Sequence, residues 1–299
     1  MLTRPCPVCA AADARPHWQK ADLRLLQCRQ CQMVFANPVP AAYATGEFYD
    51  DSAGYYLSPA KLESDYSPVR FRRELRLFHR HCSGGEVLDV GCSSGAFLFQ
   101  LQKQFAGAFK GLGTDVSGPP LDYAESRGVP VLRANFLEHN FGDRRFDAIT
   151  FWAVLEHLFA PGKFLEKAAT ILKPGGLCFV LVPNMGSLAV RVLKTKYRYI
   201  YPQHLNYFTS TTLCRLAASR FEVLDTCYTH FNPAVIWGDW RSRGGEVSNE
   251  QRAALLEKTT RLKQNPLFLP ARAVYGLTET ALGALGLADN LAVVLRRRA

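Results

Sequence analysis

The chain has 299 residues, of which 48% are hydrophobic and 21% charged, and its formal net charge is +10. That length fits one large domain with additions, or two domains, and the composition is that of an ordinary globular protein. No run of about 18 apolar residues occurs, which argues against a transmembrane helix, and the opening MLTRPCPVC lacks the apolar core of an export signal, so a cytoplasmic location is expected.

The positive excess would suit RNA or an anionic membrane surface. It is spread along the chain, with short clusters at RFRRELR (70–76) and at Arg296, Arg297 and Arg298. A solvated, arginine-rich surface is the simpler reading.

Cys6-Pro-Val-Cys9 and Cys28-Arg-Gln-Cys31 come first in the chain. Two C-x-x-C knuckles about eighteen residues apart match a zinc spacing rule. Each turn aims two thiolates at one point, so Cys6, Cys9, Cys28 and Cys31 form a tetrahedral Zn2+ site with no open position. The metal is therefore structural, a staple for a zinc ribbon over residues 1–40. A redox C-x-x-C is the rival, and two matched pairs argue against it. WQKADLRLLQC reads as one strand leading into the second knuckle. The other cysteines show no framework and are expected to be reduced.

Residues 41–82 read as a helical lead-in that ends in SPVRFRRELRLFHRHC, with apolar residues at helical spacing. An alternation follows: strand EVLDV, helix GAFLFQLQKQFA, strand FKGLGTDVS, helix PPLDYAESRG, strand VPVLRAN, strand FDAITFWAV, helix FAPGKFLEKAATILKPGG and strand LCFVLVPN. This order predicts an α/β fold with a Rossmann-like, doubly wound, mostly parallel sheet. TSTTLCRLAASR is a helix with Thr and Ser available as caps. FEVLDTCYTH and NLAVVLRRR complete seven strands and are expected to form an antiparallel edge. Between them lies a helical insertion, 232–288. Its apolar end is expected to pack in a core or an interface, with weak membrane-surface contact as the alternative.

The loop in VLDVGCSSGAF sits where an open parallel sheet binds ligands. A dinucleotide fingerprint wants glycine at positions that here hold Gly91, Ser93 and Ala96. Asp89 is unhelpful beside a pyrophosphate and useful beside an ammonium group. Asp115, ending the second core strand, is placed for ribose hydroxyls. Either acid can instead be a turn-stabilising residue. Trp152 is read as core or pocket wall, and Cys92 as a small buried hydrophobe.

LDVGCSSG, GLGTDVS, FDAITFWAVLEHL, LKPGG, VPN and HLNYF together resemble the class I S-adenosylmethionine-dependent methyltransferases. Within these the chain resembles small-molecule enzymes with an N-terminal zinc ribbon, and the quinone-ring O-methyltransferases over the core. The resemblance implies that S-adenosyl-L-methionine meets Asp89, Gly91, Ser93 and Gly95 at its methionine end and Asp115 at its ribose. It places Asn135 and Phe136 near the adenine, and Trp152 and Ala153 by the sulfonium. The family usually has glycine at the position of Ser93. The lead-in would cover the cofactor site, and residues 83–299 would form the core.

Methyl transfer to a hydroxyl needs alignment and a base. Glu156 and His157 follow the fourth core strand, and His204 lies in YPQHLNYF after the fifth. These are the catalytic candidates, with Tyr201, Tyr207 and Phe208 suited to a ring-shaped acceptor. The expected activity is O-methylation of a small molecule: a sugar, a polyketide or a phenolic or quinone ring in a biosynthetic pathway. C- or N-methylation of a sugar, RNA methylation using the basic surface, and a non-catalytic cofactor-binding module are the alternatives. The expected partner is the small-molecule acceptor rather than nucleic acid, and oligomeric state is left open.

Overall fold

The computed structural model describes residues 1–45, 53–242, 251, 254–255 and 269–298. The ribbon opens with a hairpin of β1 (Ala14–Lys20) and β2 (Leu23–Cys28), with Ala14 opposite Cys28 and Lys20 opposite Leu23. The single strand expected over WQKADLRLLQC is thus corrected to two. Ala21, at φ 47°, reverses the chain in the middle of it. β3 (Val34–Ala36) adds to β2, and the fourth strand comes from far along the chain: β9 (Asn206–Tyr207).

The lead-in contains α1 (Ala41–Thr45), α2 (Ala53–Tyr56), α3 (Pro59–Asp65) and α4 (Arg72–His81). The core then runs β4 (Gly85–Val90), α5 (Ala96–Gln104), β5 (Phe109–Asp115), α6 (Gly118–Ser126), β6 (Val131–Arg133), β7 (Phe146–Trp152), α7 (Pro161–Ile171) and β8 (Leu172–Pro183). After these come α8 (Leu188–Leu193), β9, α9 (Ser210–Ala217), β10 (Phe221–Thr229), α10 (Pro233–Arg241), α11 (Leu269–Ala284) and β11 (Asn290–Arg297). α9 starts with a reciprocal cap between Thr209 and Thr212, as the Thr-rich start of the segment predicts.

The large sheet has seven strands in the order β10-β11-β8-β7-β4-β5-β6. β4 to β8 run parallel to one another. β11 runs antiparallel to both β8 and β10. The two last strands thus pair antiparallel at one edge of the sheet, as expected, with β10 outermost and β11 inside it. Leu291 to Leu295 are buried without a break, whereas β10 exposes Glu222 to Leu224. A strand apolar on both faces belongs inside a sheet.

LKPGG is also corrected. α7 stops at Ile171, and Leu172 already pairs with Phe146 as the first residue of β8. The register slips before Ala148 meets Leu177, so the Pro-Gly-Gly segment is an irregularity of the strand. Pro174 lacks an N–H and Gly175 has φ 73°, both suited to such a bulge. Of the 232–288 insertion, residues 243–250, 252–253 and 256–268 lie outside the described residues. So does the start of its apolar end. Among the described residues no helix is long and apolar enough to cross a membrane.

Candidate active site and metal centre

The C-terminal ends of β4, β5 and β7 converge on the glycine loop. Asp89 is 3% exposed, and one oxygen accepts the Thr150 hydroxyl at 2.6 Å. Burial pushes its carboxyl up to about 7, opposed by the Thr150 bond and reinforced by Asp115. A cationic ligand there would favour the ionised form. Gly91, Ser93 and Gly95 all adopt left-handed backbone, at φ 72°, 50° and 73°. A Cβ on Gly91 would lie 2.7 Å from Val154 Cγ2. Ser93 pays a steric cost for a conformation that glycine takes freely, which explains a glycine preference at this position.

Asp115 holds the loop in shape. Its carboxylate accepts the Ser93 N–H at 2.8 Å, the Val116 N–H at 2.8 Å and the Ser117 N–H at 3.1 Å. The lead-in is seated on the same loop. The Tyr66 hydroxyl donates to the Ser94 carbonyl, and Gln100 donates to the Tyr66 carbonyl at 2.7 Å. Tyr56 feels the carboxylates of Asp115 and Glu156, and burial pushes its phenol up. The cluster of tyrosines in the lead-in was the only sequence signal for these two residues.

Asn135 closes its own turn, its side-chain oxygen accepting the Leu137 N–H at 3.0 Å. Phe136 is 3% exposed in the apolar core and stacks on Phe164, with centroids 5.6 Å apart. Trp152 packs on Phe97 and Phe179 and lines a cavity with Leu77 and Leu181. Ala153 is exposed, at φ 59°, and its N–H donates to Leu181. A non-glycine residue held there at a strand end is a strained, site-like feature.

Beyond β7, a short turn (Leu155–His157) faces the loop that leads into β9. Glu156, His157 and His204 each offer a ligand or base atom within 4.8 Å of the others. The two imidazoles meet edge to face, with centroids 4.7 Å apart. His157 Nδ1 lies 2.9 Å from the Gln203 carbonyl. A carbonyl only accepts, so Nδ1 carries the proton and Nε2 is the basic nitrogen. Nε2 lies 3.9 Å from Glu156 Oε1. His204 is 3% exposed, beneath Tyr201 at 4.3 Å and Tyr199 at 6.1 Å. Tyr207 is 5% exposed and Phe208 is fully buried, so those two rings support the loop.

Glu156 is 1% exposed, and its Oε2 has no hydrogen-bond partner among the described residues. Burial pushes its carboxyl up to about 8. The folded state therefore favours the neutral acid. The stability this gives is present below the ordinary carboxylate range and is lost as pH rises toward 8. Glu156→Gln is expected to melt higher than the parent at pH 8.5, by roughly 5 °C, with the difference shrinking by pH 5. A melting curve shifted equally at both pH values counts against this.

The four ribbon cysteines fit a metal. Cys6 and Cys31 sulfurs are 3.4 Å apart, Cys9 and Cys28 sulfurs 3.5 Å, and all four lie within 4.8 Å. A tetrahedral zinc with bonds of about 2.3 Å needs sulfurs about 3.8 Å apart. These residues would hold zinc, which would tie the two knuckles together beside the buried Met33 and Phe35.

Residues 65–224 match a family model described as a methyltransferase domain, and the chain belongs to that family. It is an S-adenosylmethionine-dependent methyltransferase. The ubiquinone biosynthesis O-methyltransferase of Paraburkholderia xenovorans (strain LB400) is 27% identical over 209 residues, covering 61% of this chain and 88% of that protein. An uncharacterized protein of Methanocaldococcus jannaschii is 28% identical over 132 residues. There the match covers 44% of this chain, which spans 61% of that relative's length. Among solved structures, the 1,6-didemethyltoxoflavin N1-methyltransferase of Burkholderia thailandensis superposes with a TM-score of 0.55 at 17% identity. It covers 96% of this chain and 100% of that one, a likeness of fold.

Proposed function

We propose that this methyltransferase acts on a hydroxyl of a small-molecule acceptor, a sugar, a polyketide or a phenolic or quinone ring. The observation that carries the reading is His157, whose tautomer is set by the Gln203 carbonyl with Nε2 beside a buried carboxyl. S-adenosylmethionine brings a methyl group already activated on a sulfonium. The chain's own residues do the rest. Asp89 receives the ammonium end, and Gly91, Ser93 and Gly95 let the backbone approach. Asp115 receives the ribose while bracing the loop. Asn135 and Phe136 bound the adenine side, and Trp152 and Ala153 the sulfonium side. His157 Nε2 takes the acceptor proton as the acceptor oxygen bonds to the methyl group, and the Glu156 carboxyl lies beside the imidazolium so formed. His204 holds the ring from behind, and Tyr199 and Tyr201 flank it.

A second reading is favoured by the 4.8 Å cluster. Glu156, His157 and His204 also make a donor set for a divalent cation. Turnover that depends on added Mg2+ or Mn2+ would select it.

The test is label transfer from methyl-tritiated S-adenosylmethionine to an alkyl catechol, a hexose nucleotide and total RNA. Label on a small-molecule oxygen is expected. Label on RNA alone would overturn the assignment, and binding of S-adenosylhomocysteine without transfer to any acceptor would favour the non-catalytic alternative.

A further inference from the structure

We propose that Arg4, in the zinc ribbon, is a positioning residue for the methyl-transfer site. The inference rests on the reading of His157 as the base. Arg4 is 7% exposed. Its guanidinium donates to three carbonyls: Ala36 at 3.4 Å, Phe159 at 2.6 Å and Leu205 at 2.7 Å. It lies over the Phe35 and Phe159 rings, 5.6 and 5.4 Å from their centroids.

Two of those carbonyls belong to the two segments that make the site. Phe159 lies two residues after His157, and Leu205 two residues after Gln203. One rigid fork thus sets the spacing between the base and the carbonyl that fixes its tautomer. The same spacing is reinforced by the Leu205 N–H donating to Glu156 at 2.7 Å and the Ala36 N–H donating to Leu205 at 2.8 Å. Asn206 adds bonds to Leu155 and Leu158 at 2.8 and 2.7 Å. On the ribbon side, Arg4 is anchored by its own backbone. Its N–H and C=O bond the Asn37 side chain at 3.2 Å each, and Cys6 follows two residues later. A planar fork can serve carbonyls in several directions, whereas an ammonium is a point donor on a flexible stem. Arg4 touches no reacting atom. It acts through the Gln203–His157 pair.

The experiment compares the zinc-loaded parent with Arg4→Met and Arg4→Lys, each bound to S-adenosylhomocysteine. Nitrogen-15 NMR reads the His157 tautomer, hydrogen exchange reads the Leu205 amide, and calorimetry reads S-adenosylhomocysteine affinity. Both variants are expected to mix the two tautomers and to exchange Leu205 faster. Affinity should stay within about twofold, because Arg4 makes none of the glycine-loop contacts. With the alkyl catechol, kcat should fall about 100-fold. A parent-like tautomer and parent-like Leu205 exchange in both variants would overturn the proposal. If Arg4→Met fails to fold, Arg4→Lys decides. A failure of the base reading shows separately, as unchanged turnover in His157→Gln, and the tautomer measurement stands whichever way that falls.

Discussion

His157→Gln is expected to lower methyl transfer by about 10²- to 10⁴-fold, with S-adenosylhomocysteine affinity changed by less than about twofold. Glutamine keeps a polar side chain of similar reach but has no basic nitrogen. The Gln203 carbonyl and the Glu156 carboxyl remain in place around it. The loss should therefore fall on kcat, because a base acts in the transition state and contributes little to ground-state binding. Label transfer to the alkyl catechol and calorimetry give the two numbers. His204→Ala should cost less, since His204 supports the ring from a position only 3% exposed. Turnover in His157→Gln equal to the parent would remove His157 from the reaction.

Asp115→Ala is expected to weaken S-adenosylhomocysteine binding by about 100-fold or more. Hydrogen bonds to a charged group contribute about 1.5–3 kcal/mol each. This carboxylate accepts three backbone N–H groups of the loop, and the proposed ribose contact comes on top of these. The substitution also frees the left-handed backbone at Ser93, so a lower melting temperature should accompany the lost affinity. Asp115→Asn should fall between, because an amide keeps one accepting oxygen and adds donors where acceptors are needed. Calorimetry decides the matter: parent-like affinity in Asp115→Ala would refute both the bracing and the ribose role.

The alternation from β4 to β8 was legible because each element carries its own period and stop signals. The four ribbon cysteines and the three residues of the base cluster were legible as residue types at particular places in that order. What the sequence hid is mostly non-local. The pairing of β3 with Asn206–Tyr207 joins segments about 170 residues apart, and no local pattern announces it. Arg4 looked like one more cation in a basic chain, and Gln203 acts through a backbone carbonyl that any residue possesses. The Ala21-Asp22 turn lacks the glycine that usually marks a hairpin. LKPGG has the composition of a helix stop, yet the bulge it forms lies within a strand. Ser93 was readable as a departure from glycine. Its φ, and the Asp115 bond that offsets it, needed coordinates.

The place of β11 between β8 and β10 bears on the order in which the molecule is made. β8 and β10 are both synthesised before residues 290–297 exist, and neither can pair with the other in their final places. On the ribosome, the β8 side of the nascent sheet is an open hydrogen-bonding edge for more than a hundred residues of elongation. The chain closes that edge from within, by inserting β11, buried from Leu291 to Leu295, after β8 and β10 have been made.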